Sequence, residues 1–142
     1  MKKKKIIDSE IEKGDFASGG EVSSKLKSLL RKLGVNNTDI RRTSIITYEL
    51  EMNLIIHSEG GRLKAYIDTE QISIVSDDKG PGIEDIDRAF EAGYSTATDD
   101  IRELGFGAGM GLNNVKRFSD DLEVESELGE YTKLTAFINI AK

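Results

Sequence analysis

At 142 residues with an apolar fraction of 37%, the chain can bury one core, and a single domain over 1–142 is expected. Its 26 acidic and 20 basic residues leave a formal charge of −6, which repels a phosphate backbone and argues against a nucleic-acid partner. Cysteine is absent, so disulfides, thiolate metal sites and thiol nucleophiles are excluded. There is no signal-peptide core and no run near the ~18 apolar residues of a membrane span, so a cytoplasmic protein without membrane contact is expected.

Residues 3–13 mix Ile6, Ile7 and Ile11 with charges and read as a first strand, with the Lys2–Lys5 run on a solvated edge. From Glu21, the residues Val22, Leu26, Leu29, Leu30 and Leu33 repeat at helical spacing, which predicts a helix with one buried stripe that stops at Gly34. Asn36, Asn37 and Thr38 offer N-caps for a second helix, with Asp39 favourable in its first turn. That helix should run to about His57. Ile45, Ile46, Leu50, Met52, Leu54, Ile55 and Ile56 lie on more than one of its sides, so it should be central and buried.

Strands are expected near 62–68 and 71–77, joined by a short turn at Asp68-Thr-Glu70. A short helix over 84–92, a loop over 93–104 and a helix from about Gly109 to Phe118 should follow. Two strands near 121–127 and 132–140 complete the chain, with Leu134, Ala136, Ile138 and Ile140 on one face. The expected fold class is α+β: a two-layer sandwich with a mixed, mostly antiparallel sheet and three to four helices on one face.

Three polar stretches carry the chemistry. In Glu49-Leu-Glu-Met-Asn53 a carboxylate and a carboxamide stand one helical turn apart, and His57 follows one turn later. Oxygen donors at that spacing suit Mg²⁺, which takes oxygen ligands and keeps several waters. A solvated stripe would show the same spacing. His57, the chain's one histidine, reads as a helix C-terminal cap or surface residue; beside a triphosphate it could donate a hydrogen bond.

Asp78 precedes Gly80-Pro-Gly82. A carboxylate before a glycine turn can accept from an exocyclic amine while the backbone approaches a flat ring, although Asp, Gly and Pro also make plain turns. The stretch 105–112 has glycine at every second position before a helix, which exposes N–H groups and the positive end of a helix dipole to phosphate. It matches neither the P-loop pattern nor a clean G-x-G-x-x-G.

These stretches together resemble the histidine-kinase-like ATPases, the GHKL or Bergerat-fold superfamily. Glu49–Asn53 resembles its N-box, Asp78-x-Gly80-x-Gly82 its first glycine box, and Gly107-x-Gly-x-Gly-Leu112 its second. Within the superfamily, the shortness and the phrase Gly-Phe-Gly-Ala-Gly-Met-Gly-Leu resemble the small serine/threonine kinases of anti-sigma and stress-signalling switches.

The resemblance implies ATP and Mg²⁺ as cofactors, with Glu49 as general base and Asn53 as metal ligand. Asp78 would read the adenine amine and Gly82 would let the ring lie flat, with Gly80 and Ile83 beside them. Residues 93–105 would form a lid. Gly107, Gly109 and Gly111 would wrap the phosphates, with Gly105, Ala108, Met110 and Leu112 also binding the nucleotide. Thr132 would help hold adenine, although the superfamily's Gly-x-Gly-Thr reads Gly129-Glu-Tyr131-Thr132 here.

The implied function is a Mg·ATP-dependent serine/threonine kinase acting on a small regulator, either an anti-sigma-factor antagonist or a sigma factor. The alternatives are an ATP-gated module that sequesters a partner without phosphotransfer, and a plain ATPase. Oligomeric state is not readable from the residues.

Overall fold

The computed structural model describes residues 3–57, 60–79, 111–127 and 131–140, the side chains of Phe16, His57, Lys79 and Glu127 excepted. In chain order the elements are β1 (Lys4–Ile11), a 3₁₀ turn (Phe16–Ser18), α1 (Glu21–Lys32), α2 (Asn37–His57), β2 (Gly61–Ile67), β3 (Gln71–Lys79), α3 (Gly111–Phe118), β4 (Asp121–Glu127) and β5 (Tyr131–Asn139). The helix expected over 84–92 and the loop over 93–104 lie outside the described residues.

The strands form one sheet in the order β1-β2-β3-β5-β4, and each described pairing is antiparallel. The architecture is therefore α+β, as expected. A short turn joins β2 to β3, and Asp68 builds it by accepting the N–H groups of Glu70 and Gln71 at 2.7 and 2.8 Å; β1 and β2 pair across the intervening α1 and α2.

Antiparallel register aligns side chains in rows across the sheet. One row reads Ile7, Ala65, Ile74, Ala136 and Leu122; another reads Leu63, Ser76, Leu134 and Val124. These point to the helices, and Ile7, Leu63, Ala65, Ile74, Leu134 and Ala136 are buried. The intervening row, Asp8, Lys64, Val75, Thr135 and Glu123, takes the opposite face. A bulge at Lys5/Ile7 keeps Ile7 on the core side.

In α1, Val22, Leu26 and Leu30 are buried as the period predicts. Leu33 departs from the expected stripe and is 56% exposed. The helix has already ended there: Gly34 takes φ 79°, its N–H reaches the Arg31 carbonyl, and Val35 N–H reaches that of Leu30. That closing pattern turns Leu33 off the core.

The 21-residue α2 is capped by Asn36, whose Oδ1 accepts the Asp39 N–H at 2.9 Å. Its apolar residues Ile40, Ile46, Leu50, Met52, Leu54 and Ile55 are all buried. Thr43 and Thr47, also buried, bond back to the carbonyls four residues earlier, each at 2.7 Å, so their hydroxyls carry no desolvation penalty unpaired. No helix among the described residues is long and apolar enough to cross a membrane.

Candidate nucleotide site

The core-facing rows change character at one end of the sheet. The last row reads Ile11, Gly61, Asp78, Thr132 and Ser126. Here the apolar residues give way to a bare glycine, a carboxylate and two hydroxyls. Gly61 is required by close backbone approach: a Cβ there would collide with the Asp77 carbonyl oxygen and lie 2.8 Å from the Asp78 Cα.

Register places Asp78 beside Thr132, whose N–H donates to Asp78 Oδ1 at 2.8 Å. The Thr132 hydroxyl lies 3.2 Å from that of Ser126. Among the described residues, Asp78 Oδ2 has no hydrogen-bond partner. Burial pushes the Asp78 carboxyl up to about 6, opposed by the Thr132 N–H and reinforced by the nearby charge of Asp77. A half-buried carboxylate with one oxygen anchored and the other without a partner among the described residues can accept from a ligand amine.

Two helices converge on this end. Near its start, α2 meets the end of α3: Arg42 Nε donates to the Phe118 carbonyl at 3.1 Å, and its guanidinium lies 2.9 Å from Asp120. Further along, Glu49 of α2 meets Asn114 of α3, with Nδ2 3.5 Å from Oε1. The helices therefore run antiparallel. The C-terminal end of α2 leads into Gly61, the strand partner of Asp78. The N-terminal end of α3, carrying the positive pole of its dipole, points toward the same end of the sheet, with Lys116 and Arg117 in its last turn.

Glu49 and Asn53 stand one turn apart on α2, both half-buried. Burial raises the Glu49 carboxyl above its ordinary range, and the Asn114 hydrogen bond pulls it partly back. A carboxylate whose ionised form is disfavoured by burial is a better proton acceptor than a fully solvated one.

The structure thus brings Asp78 and Thr132 together at the sheet end and sets Glu49 and Asn53 on the helix leading there, with Gly111 and Leu112 opening α3. His57 ends α2, but its side chain lies outside the described residues, as do Gly80, Gly82, Ile83, Gly105, Gly107, Ala108, Gly109 and Met110.

Two polar contacts were not foreseen from the sequence. Asn114 is one. The other is Glu51, 1% exposed, which accepts the Val22 and Ser23 N–H groups at 3.2 and 3.4 Å. It caps α1 from another helix, because Gly20 supplies no side chain for the task. A signal for it exists: positions 43, 47 and 51 fall at i, i+4 and i+8 in line with buried Ile55, so Glu51 sits on an inward face.

Comparison with known proteins agrees with this architecture. A sequence profile of the family described as "Histidine kinase-, DNA gyrase B-, and HSP90-like ATPase" matches residues 38–142. The chain is 30% identical over 118 residues to the serine/threonine-protein kinase RsbT of Bacillus subtilis (strain 168), spanning 78% of this chain and 80% of that one. It is 36% identical over 101 residues to an anti-sigma F factor of Thermoanaerobacter sp. (strain X514), spanning 66% and 67%. Among solved structures, the SiaB–SiaC complex from Pseudomonas aeruginosa contains a similar fold, with a TM-score of 0.66 at 14% identity and coverage of 94% and 89%. With its profile match running over most of its length, the chain belongs to the histidine kinase-, DNA gyrase B- and HSP90-like ATPase family.

Proposed function

We propose that this chain is a cytoplasmic Mg·ATP-dependent kinase that transfers the γ-phosphoryl group to a serine or threonine of a small regulatory protein. The observation that carries the reading is the terminal polar row of the sheet, Gly61–Asp78–Thr132–Ser126, facing a helix that presents Glu49 and Asn53. The likeness to a relative named as a serine/threonine-protein kinase supports phosphotransfer, and the likeness to anti-sigma F factors supports a small regulator as the acceptor.

The residues fit the nucleotide and its metal. Asp78 Oδ2, without a hydrogen-bond partner among the described residues, would accept the adenine amine, and Gly61 brings the backbone close beside Asp78. The Asn53 carboxamide oxygen is a hard ligand of the kind Mg²⁺ takes, and an ion that keeps waters and binds phosphate oxygens needs few protein ligands. When bound, the metal neutralises charge on the β- and γ-phosphates. Asn53 would hold it from α2, and the N-terminal end of α3 would face the phosphates with backbone N–H groups.

The chain's own chemical task is then small. Glu49 accepts the proton of the incoming hydroxyl as its oxygen attacks the γ-phosphorus, and the bond to ADP breaks with its electron pair leaving on ADP. Incubation with γ-labelled Mg·ATP and candidate regulators of the anti-sigma-antagonist type should label one of them. Glu49→Gln should lower that rate by about 10²–10⁴-fold while leaving nucleotide affinity largely intact; full activity in that variant would remove Glu49 from the chemistry.

A second reading has support in the anti-sigma F relatives: the chain sequesters a sigma factor or similar partner when ATP is bound, without phosphotransfer. Capture that persists with a non-hydrolysable ATP analogue, in the absence of any labelled partner, would favour it. A plain ATPase would release labelled phosphate to water at a rate that no partner changes.

A further inference from the structure

The Glu49 carboxylate has a single hydrogen-bond donor among the described residues, the Asn114 amide of α3. Its setting is firm. Val115, the next residue, is fully buried in the core, and Arg42 holds the end of the same helix through the Phe118 carbonyl and Asp120. Asn114 is therefore carried on a helix locked against α2. The separation of 3.5 Å is at the outer limit for a hydrogen bond. Catalytic contacts are commonly long before substrate binds and tighten in the working complex.

We propose that Asn114 is a positioning residue for phosphoryl transfer: its amide holds Oε1 of Glu49, which turns Oε2 toward the incoming hydroxyl. The proposal rests on the reading of Glu49 as base. A carboxylate on two rotatable methylenes samples many orientations, and only those with a lone pair directed at the hydroxyl accept its proton. Anchoring one oxygen removes most of that freedom and leaves the other oxygen to react. An amide suits the position chemically. It donates without carrying charge, so it orients the base without forming the ion pair that a Lys or Arg would impose, and it does not titrate in the working pH range.

The test uses Asn114→Leu, close in volume but without a donor, and Asn114→Gln, which keeps the amide on a longer arm. The reaction read is single-turnover release of labelled phosphate from γ-labelled Mg·ATP with water as acceptor. The Leu variant should turn over about 10-fold more slowly, with affinity for Mg·ATP within about twofold and an unshifted melting temperature; the Gln variant should recover part of the rate. In a Glu49→Gln background, Asn114→Leu should have no further effect, because the group it positions is gone.

A packing role would instead give additive losses, or losses in affinity and melting temperature, and would overturn the proposal. The contact is also read without catalysis: Glu49→Gln should shift the side-chain amide resonances of Asn114 well beyond those of Asn139, and equal shifts would overturn it. If Glu49→Gln itself turns over at the wild-type rate, the reading of Glu49 as base fails. If that variant is inactive and Asn114→Leu is fully active, only the positioning role fails.

Discussion

Replacing Asp78 by Asn should make the ligand-free protein more stable and its nucleotide binding much weaker. Burial lifts the Asp78 carboxyl from 3.8 to about 6. A raised carboxyl pKa means that the folded state favours the protonated form. The associated stability is fully present below pH 3.8 and is lost as pH rises through about 6. At pH 7 the ionised group therefore weighs against folding. The gap corresponds to about 3 kcal/mol at full value, and because the carboxyl is only half-buried, solvent screening brings this to about 1 kcal/mol.

Asn keeps an oxygen for the Thr132 N–H and carries no charge. At pH 7, Asp78→Asn should raise the melting temperature by about 3 °C for a domain of this size. The gain should vanish near pH 4. Asp8, Asp68 and Asp120 are shifted the other way, so their contributions change at lower pH, and Glu49 and Glu51 are common to both proteins. The variant's NH₂ group, however, would meet the adenine amine donor to donor. Calorimetric titration with Mg·ADP should show a loss of about 2–3 kcal/mol, roughly 30- to 150-fold in affinity. A variant that binds Mg·ADP like the wild type, or that melts lower at pH 7, would refute the assignment of Asp78 as an adenine acceptor held ionised at a structural cost.

Gly61→Ala should destabilise the fold by about 2–3 kcal/mol, since the new Cβ meets backbone rather than a movable side chain; denaturant unfolding measures this, and Mg·ADP affinity should fall with it. Glu51→Ala should cost about 1–3 kcal/mol by uncapping α1, with faster amide exchange at Val22 and Ser23 and unchanged nucleotide affinity. Glu51→Gln, which keeps an acceptor, should cost less. Chelating magnesium with EDTA should weaken ATP binding by about 10-fold or more, and Asn53→Ala should lose most of that difference if the carboxamide holds the ion.

The elements were legible where one local rule decided them. The stripe of α1 follows from a 3.6-residue period, the alternation of Leu134, Ala136 and Ile138 from a two-residue period, and the start of α2 from a capping Asn. Leu33 escaped the periodic reading because the closing glycine, rather than hydrophobicity, sets its direction.

The site was legible only as chemistry. Asp78 and its anchor Thr132 are 54 residues apart, Glu49 and Asn114 are 65 apart, and Val22 and Glu51 are 29 apart. No spacing rule spans such distances; they follow from strand register and helix packing. Register is itself fixed by the apolar rows, because a slip of one residue would turn Ile7, Ala65, Ile74 and Ala136 away from the helices together. The same rows deliver Gly61, Asp78 and Thr132 to one line as the core runs out. The alternation that builds the hydrophobic core is thus also what sets a carboxylate against a backbone N–H at the rim. Within that row the two hydroxyls pair with each other and Asp78 takes the Thr132 N–H, so the desolvation cost falls on the Asp78 carboxylate, at the rim where a ligand donor can offset it.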